Sequence, residues 1–199
     1  GGDPKNIPDL TYENFLNFHR TYYHPSNSYI YLYGNMDMEE KLAFLDEHYL
    51  SHFDYLDVDS VIQEQKAFGA CQDVTLEYPV AENEGEEDNT YLSYNMVVGN
   101  AADSQMAMAF EVLDYALLSA PGAPLKQALL DVKAGKDVYG SYDDGILQPY
   151  FTVIAKGSNP DRKEEFVSVI RQVLGDIVKN GIDRKAVEAG INYFEFRYR

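Results

Sequence analysis

The fold class is decided by residues 121–161, which read PGAPLKQALLDVKAGKDVYGSYDDGILQPYFTVIAKGSNPD. A short helix is predicted over residues 124–132. Two strands are predicted over residues 137–142 and 148–155. They are joined by Asp143-Asp144-Gly145, a run of residues that tolerates positive φ. The stretch therefore predicts a β-hairpin that follows a helix.

Upstream of this stretch the pattern predicts a second pair of strands and a helix. Residues 74–80 (VTLEYPV) and 90–98 (TYLSYNMVV) are predicted to form a hairpin around the acidic loop 82–88. Asp103 or Ser104 can cap the helix that follows. Its predicted apolar face comprises Met106, Ala109, Phe110, Leu113, Ala116 and Leu117.

Downstream, Pro160 suits the first position of a long helix, which ends at Asn180-Gly181. Its predicted apolar face comprises Phe166, Val169, Ile170, Val173, Ile177 and Val178. Asp183 is predicted to cap a last helix. Pairs of strands alternating with pairs of helices predict an α+β fold, in which a mixed or antiparallel sheet has helices on one face.

The first fifty residues predict a separate unit of helix, strand and helix. The helices are predicted over residues 11–23 and 38–50, and the strand over residues 28–33 (SYIYLY). Asp37 has the position of an N-cap, with Glu40 three residues later. The second helix is expected to turn Leu42, Leu45 and Tyr49 inward. Residues 51–72 show no steady period, which is typical of a connection between residues 1–50 and a domain over 73–199.

The overall charge of −17, from 33 acidic and 16 basic residues, excludes whole classes of partner. Binding to phosphates requires a surplus of Lys and Arg, so neither nucleic acid nor an anionic membrane is expected as a partner. One cysteine, Cys71, cannot form an internal disulfide, and this favours the cytoplasm. The chain starts without methionine and ends within a predicted helix, so we expect it to be part of a longer protein.

The four histidines do not match a zinc hydrolase site, which requires three ligands and a base. His48 and His52 are four residues apart at a helix end, but Ser51 stands where an HxxEH motif has its glutamate. An ordinary helix end is therefore favoured over a metal site. His19 and His24 lie around a helix C-terminus, where a histidine commonly interacts with the helix dipole.

Other reactive residues also lack the partners that chemistry would need. Cys71 has no histidine close in sequence, and no nucleophile elbow or phosphate-binding glycine loop is present. Asp143 and Asp144 suit a turn better than an acid/base or calcium pair, since Gly145 follows them between two strands. The acidic loop is interpreted as a solvated run of charge. No catalytic, cofactor-binding or metal-binding residue is therefore predicted.

Two long stretches resemble the presequence-protease-type branch of the insulinase and pitrilysin family of zinc metallopeptidases. Residues 1–37, GGDPKNIPDLTYENFLNFHRTYYHPSNSYIYLYGNMD, resemble the closing part of the first domain of that branch. Residues 121–161, together with 180–199 (NGIDRKAVEAGINYFEFRYR), are similar to its second domain. Residues 51–72 and the acidic loop are not matched.

The resemblance implies a processing-peptidase-like metallohydrolase fold, in which the second domain repeats the first without its metal. It assigns residues 1–50 to the end of the catalytic first domain and residues 73–199 to a truncated second domain. Zinc would be bound by the parent through residues outside this chain. The chain would then supply scaffold and part of the wall of a chamber that encloses unstructured peptides, with the remainder of the parent as its partner.

Two alternatives stay open at this stage. The chain could be a stand-alone binding or assembly domain that holds peptides or another protein through its many tyrosines. It could also be an independent metalloenzyme that uses His48 and His52.

Overall fold

The computed structural model describes residues 3–199. The chain divides into two units, Gly1–Gln63 and Glu64–Arg199, which we name unit 1 and unit 2. The division falls within residues 51–72, the segment predicted to connect two domains. The assignment of residues 1–50 and 73–199 to two domains of a longer peptidase stays a prediction.

Unit 1 contains two helices, α1 (Tyr12–Tyr22) and α2 (Met38–His48). At the start of α1, the Thr11 hydroxyl accepts a hydrogen bond from the Asn14 amide at 3.1 Å. At the start of α2, the Asp37 carboxylate accepts one from the Glu40 amide, also at 3.1 Å. Each bond satisfies a backbone N–H that has no partner inside its helix. The two predicted helices and the predicted Asp37 cap are confirmed. Short 3₁₀ turns lie at Ile7–Asp9, Pro25–Asn27 and Leu50–His52.

The strand predicted over residues 28–33 is wrong for this chain, because these residues pair with no other strand. A strand is stabilised by hydrogen bonds to a neighbour, and residues 3–63 contain none that could supply them. The predicted inward face of α2 is also wrong, since Leu42 and Tyr49 are exposed. An apolar pattern predicts the face of a helix that other elements bury, but residues 3–63 contain no second layer of structure that could bury it.

The sheet of unit 2 has three antiparallel strands in the order β1-β3-β2. They are β1 (Thr90–Val97), β2 (Asp137–Asp143) and β3 (Tyr150–Ser158). The central strand β3 is the most buried, and its register places Val153 opposite both Tyr94 and Gly140. The predicted hairpin of β2 and β3 is confirmed, as is the antiparallel α+β class.

The hairpin predicted between residues 74–80 and 90–98 is wrong. Residues 74–80 form no strand, and β1 pairs with β3 instead. Pairing of β1 with β3 is favoured over pairing with residues 74–80, because Phe151, Val153 and Ala155 of β3 are buried. Val74 and Leu76, in contrast, stay exposed. Burial of alternate side chains determines strand pairing more strongly than closeness in sequence does.

Four helices accompany the sheet: α3 (Ser104–Asp114), α4 (Pro124–Asp131), α5 (Lys163–Asn180) and α6 (Arg184–Arg197). Asp103 caps α3 by accepting the Met106 amide at 3.0 Å, and Asp183 caps α6 by accepting the Lys185 amide at 2.9 Å. A 3₁₀ turn at Pro160–Arg162 precedes α5. All four predicted helices of unit 2 are confirmed.

The predicted helix that Asp103 or Ser104 caps is not regular throughout. A π-helical turn, Tyr115–Ser119, follows α3, and the Ala120 amide donates to the Tyr115 carbonyl at 2.7 Å. The predicted apolar face is correct at Ala116 and Leu117 but wrong at Met106 and Ala109, which are exposed. Val112 is buried instead, because it faces Gly190 of α6 on the side of α3 that the pattern left uncovered.

The core of unit 2 lies between the sheet and helices α4 and α5. Its largest fully buried apolar side chains are Leu125, Leu129, Val138, Val153, Phe166 and Ile170. Each large apolar side chain of this kind contributes about 1.5–3 kcal/mol by leaving water. Val178, predicted to face inward, is exposed near the end of α5.

Candidate functional site

The histidines considered as metal ligands lie apart from any ligand set. The ring of His48 packs edge-on against Phe44 at 4.5 Å, and His52 ends the Leu50–His52 turn. Within residues 3–199, no three His, Cys, Asp or Glu side chains are grouped so that they could hold a metal ion. The family resemblance itself implies zinc ligands outside this chain.

His19 and His24 both take part in local structure at the end of α1. His19 lies in the last turn of α1, and its ring stacks on Tyr23 at 4.7 Å. The Nδ1 atom of His24 accepts a hydrogen bond from the Ser26 amide at 3.2 Å, and the ring contacts Phe53. These contacts support the structural interpretation of both histidines.

Cys71 and the pair Asp143 and Asp144 also have no reactive partners in the described chain. Cys71 is exposed in the irregular segment before β1. Asp143 Oδ1 accepts the Gly145 amide at 3.0 Å, and its Oδ2 accepts the Tyr150 hydroxyl at 3.0 Å. Both oxygens of Asp143 thus hold the hairpin turn, in agreement with the turn interpretation.

The acidic loop is attached to unit 2 through Asp88. The Asp88 amide donates to Asn159 Oδ1, and Asn159 Nδ2 donates to Asp88 Oδ1, each at 2.8 Å. Lys136 Nζ lies 3.3 Å from Asp88 Oδ2. The hydrogen bond from Asn159, and then Lys136, hold the pKa of Asp88 below its usual range. The rest of the loop, including Glu86 and Glu87, is exposed to solvent.

A cluster of tyrosines and carboxylates is the most distinctive polar surface of unit 2. We name Tyr142, Tyr198, Glu111 and Asp144 the tyrosine–carboxylate cluster. The Tyr198 hydroxyl donates to Glu111 Oε1 at 2.6 Å, and this bond raises the pKa of Tyr198. Burial, followed by the charges of Asp144 and Glu111, raises the pKa of Tyr142.

A tyrosine with an ordinary pKa of about 10 is already protonated at neutral pH, and the Tyr198 hydroxyl acts as a hydrogen-bond donor to Glu111. The ring of Tyr142 stacks on Phe110, with ring centroids 5.4 Å apart. Sequence reasoning noticed Asp144 but missed Glu111 and Tyr198, because they are 87 positions apart in the chain.

Asp114 is a second residue that sequence reasoning missed. It precedes the π-helical turn, and the Ser119 hydroxyl donates to its Oδ2 across the turn at 3.5 Å. Its Oδ1 is buried without a partner among the described residues. Burial raises the pKa of Asp114. The buried carboxylate of Asp114 lies at the start of this turn, where π-helical geometry departs from the regular helix.

A shallow groove of about 310 Å³ lies beside the same turn. Small or apolar residues line it, including Ala116, Ala120, Ile177 and Ile182. Its one charged lining residue, Asp183, already caps α6. The groove therefore lacks the converging polar groups of a ligand site. No helix in the described part of the chain is long and apolar enough to cross a membrane.

The family described as "Peptidase M16 inactive domain" matches residues 9–194. The chain belongs to this family. Two relatives of this chain confirm its resemblance to the presequence-protease-type branch. "Presequence protease 1, chloroplastic/mitochondrial" from Arabidopsis thaliana is 35% identical over 203 residues, which cover 100% of this chain and 19% of that protein. "Presequence protease, mitochondrial" from Xenopus laevis is 29% identical over 204 residues.

Another relative is "Protein HypA" from Clostridium perfringens (strain 13 / Type A), which is 47% identical over 199 residues. That match covers 100% of this chain and 20% of HypA. The M16 chain thus spans about a fifth of the length of the curated relatives it matches.

A solved structure supports the fold. The crystal structure of a putative M16-like peptidase from Alicyclobacillus acidocaldarius superposes with a TM-score of 0.60 at 18% sequence identity. The match covers 99% of this chain and 46% of that one. The expected peptidase-like α+β fold is confirmed.

Proposed function

We propose that this chain is part of a longer zinc-dependent metalloendopeptidase of the M16 family that degrades oligopeptides. Its role there is to supply scaffold and part of the wall of the chamber that encloses the peptide. The observation that carries the proposal is the match of residues 9–194 to an inactive peptidase domain, in a chain that spans about a fifth of its relatives.

The chemistry of the described residues agrees with a role as scaffold and chamber wall. No group of three metal ligands is present among residues 3–199, and the phenols of the tyrosine–carboxylate cluster stay protonated at neutral pH. Zinc hydrolysis requires at least three fixed ligands and a base. In the proposed parent, zinc and its ligands are supplied by residues outside this chain.

The proposal assigns partners as well as a role. Residues 1–50 form the end of the catalytic first domain, and residues 73–199 belong to the second, inactive domain. The remainder of the parent packs against them, and unstructured peptides are the substrates. Two relatives are named as presequence proteases, and this supports peptides as the substrate class. The proposed compartment is the cytoplasm, supported by the use of one cysteine in the chain.

Peptide hydrolysis by the full-length parent and by the 199-residue chain tests the proposal. The parent is expected to cleave an unstructured peptide, to lose this activity with a chelator and to regain it with zinc. The isolated chain is expected to be inactive under every condition. Zinc-dependent cleavage by the isolated chain would overturn the supporting role.

Peptide binding separates the proposal from a stand-alone binding domain. The isolated chain is expected to show no measurable affinity for extended peptides, because the chamber is completed by the rest of the parent. Tight binding by the isolated chain, with an inactive parent, would instead favour a binding or assembly domain.

A further inference from the structure

Residues 64–80, which precede β1 in unit 2, have no regular secondary structure. Every residue from 64 to 87 is exposed, so this part of the chain contributes no side chain to a core. Polar contacts, and not a buried face, therefore hold the segment against the rest of unit 2. A segment held in this way opens at little cost in free energy, because few apolar contacts are lost.

Two sets of contacts fix the ends of this segment. At its start, the Gln65 amide donates to Gln148 Oε1 at 2.7 Å, and Gln148 Nε2 donates to the Gln65 carbonyl at 3.1 Å. At its end, the Tyr78 hydroxyl donates to the Asn89 carbonyl, and the Tyr78 ring packs against Tyr91 of β1 with centroids 5.8 Å apart. Both ends use neutral groups, so added salt has little effect on them.

Between these ends, residues 66–77 are held at one point, and we name them the strap. Lys163 Nζ donates to Asp73 Oδ1, and the two side chains form an ion pair. Within the described chain, every other hydrogen bond of residues 66–77 stays inside the strap or reaches the adjacent Gln65. The side chains of Lys163 and Asp73 are 44% and 70% exposed, so water and ions reach the pair.

The strap is held in an extended conformation. Gln148 lies just before β3 and Lys163 begins α5 just after it, so residues 65–73 follow the length of this strand. A strand of 9 residues is about 27 Å long, and eight residue steps reach at most about 29 Å. An extended chain has little conformational freedom and regains backbone entropy when it is released. The ion pair therefore opposes the tendency of the strap to leave this conformation.

We propose that the strap switches between a held and a released state, with the ion pair of Asp73 and Lys163 as its latch. Opening of this pair releases residues 66–77, while Gln65 and Tyr78 keep the two ends on unit 2. The sheet and its helices stay folded in both states, because no residue of the strap belongs to their core. The inference goes beyond the proposed function, since it concerns unit 2 alone and requires neither zinc nor a peptide.

The strength of an exposed ion pair suits a latch of this kind. Such a pair typically shifts an equilibrium about 1.5- to 5-fold, which is too little to hold the strap permanently. Salt weakens the pair, because the screening length falls from about 10 Å at 0.1 M to about 3 Å at 1 M. The released fraction is therefore expected to respond to ionic strength without any unfolding of unit 2.

Cys71 allows the state of the strap to be measured directly. It is the one cysteine of the chain, it is exposed, and it lies two residues before Asp73, so a nitroxide label attaches there alone. Electron paramagnetic resonance of the labelled 199-residue chain separates a slow component, the held strap, from a fast component, the released strap. The ratio of fast to slow component is expected to rise about 1.5- to 5-fold between about 0.05 M and about 1 M NaCl.

Substitutions at the latch test its assignment. Asp73→Asn is expected to raise the ratio about 1.5- to 5-fold at low salt and to abolish the salt response. The matched control is Glu188→Gln, which also neutralises an exposed carboxylate in an ion pair, here with Arg184 of α6. This control is expected to leave the ratio and the salt response unchanged. Exchange of the two charges, by Asp73→Lys together with Lys163→Asp, is expected to restore the held state and its salt response.

Three outcomes would overturn the proposal. The first is a slow component alone in every variant and at every salt concentration, which would mean that the strap does not open. The second is a fast component alone throughout, which would mean that the ion pair holds nothing. The third is an equal effect of Asp73→Asn and Glu188→Gln, which would assign the response to overall charge. An inactive parent peptidase, in contrast, would bear on the proposed function alone.

Discussion

Gly140 lies in β2 where the sheet meets the π-helical turn. A Cβ atom at this position would lie 2.3 Å from the Thr152 carbonyl oxygen and 2.4 Å from Leu118 Cδ1. Backbone in a central strand cannot move aside, so Gly140→Ala is expected to lower the free energy of unfolding by about 1–3 kcal/mol. Urea unfolding followed by circular dichroism measures this change.

Gly175 provides the matched control for Gly140. It lies on the exposed side of α5, and a Cβ there would meet nothing within 4 Å. Gly175→Ala is expected to raise stability by about 0.5–1 kcal/mol, because alanine loses less backbone entropy in a helix. Equal effects of the two substitutions would show that close packing at Gly140 does not matter.

Asp88 makes the stability of unit 2 depend on pH. Its folded-state pKa is lowered, by Asn159 first and Lys136 second, below the unfolded value of about 3.9. A lowered pKa stabilises the fold above the unfolded value, and this contribution is lost as the pH falls through the folded-state pKa. Asp88→Asn removes the charge while keeping a residue that tolerates the positive φ of this position.

The Asp88→Asn chain is therefore expected to be less stable than the unsubstituted chain at pH 7, with a difference that shrinks below about pH 4. Urea unfolding at a series of pH values measures the difference. Glu87→Gln serves as the control, because it also removes one negative charge from the acidic loop at an exposed position. A difference that stays constant down to pH 2 would refute the role of the Asp88 charge.

At the scale of elements, Gly181 ends α5, three residues before α6 begins. Its φ of 87° and ψ of 160° belong to a region that only glycine occupies readily, and its amide donates to the Ile177 carbonyl at 2.8 Å. Gly181→Ala is expected to cost about 1–3 kcal/mol from backbone strain alone, since a Cβ there would meet nothing within 4 Å.

Gly181→Asn tests the cause of this cost. Asparagine tolerates the left-handed helical region, where ψ is near 50°, but not a ψ near 160°. We therefore expect no rescue by asparagine. Thermal unfolding of both variants, with Asn180→Ala as the neighbouring control, measures the effect. Recovery of stability with asparagine would contradict the assigned backbone strain.

Helices were predictable from the sequence because their signals are local. Asp37, Asp103 and Asp183 each accept the backbone hydrogen bond that their positions predict. Strands were less predictable because a segment becomes a strand only when a neighbouring strand supplies its hydrogen bonds. The segment 74–80 has a strand pattern but forms none, and β1 pairs with a strand that begins more than fifty residues later.

The candidate site shows the same limit. The contacts of Asp143 and His24 follow from neighbours in the sequence, since Asp143 accepts the Gly145 amide and His24 accepts the Ser26 amide. Tyr198 and Glu111 are joined only by the packing of α6 on α3, which no local pattern reveals. Burial of Asp114 depends in the same way on the π-helical turn, whose sequence YALLS resembles an ordinary helix.

At the scale of the whole molecule, the two units differ in how their residues are buried. Unit 2 encloses a continuous core around Leu125, Leu129 and Phe166, whereas no residue from 3 to 63 is buried. Stability in a protein is local, and segments without buried apolar contacts open with a free energy close to zero. The two units are therefore expected to unfold separately in the isolated chain.

Limited proteolysis of the 199-residue chain under native conditions measures this difference. Cleavage is expected to concentrate in residues 3–63 and to leave a resistant fragment that contains β1 to α6. Leu129→Ala is the informative control, because the loss of a fully buried leucine costs about 2–5 kcal/mol and should make this fragment susceptible as well. Equal resistance of the two units in the unsubstituted chain would mean that unit 1 has a stable core of its own.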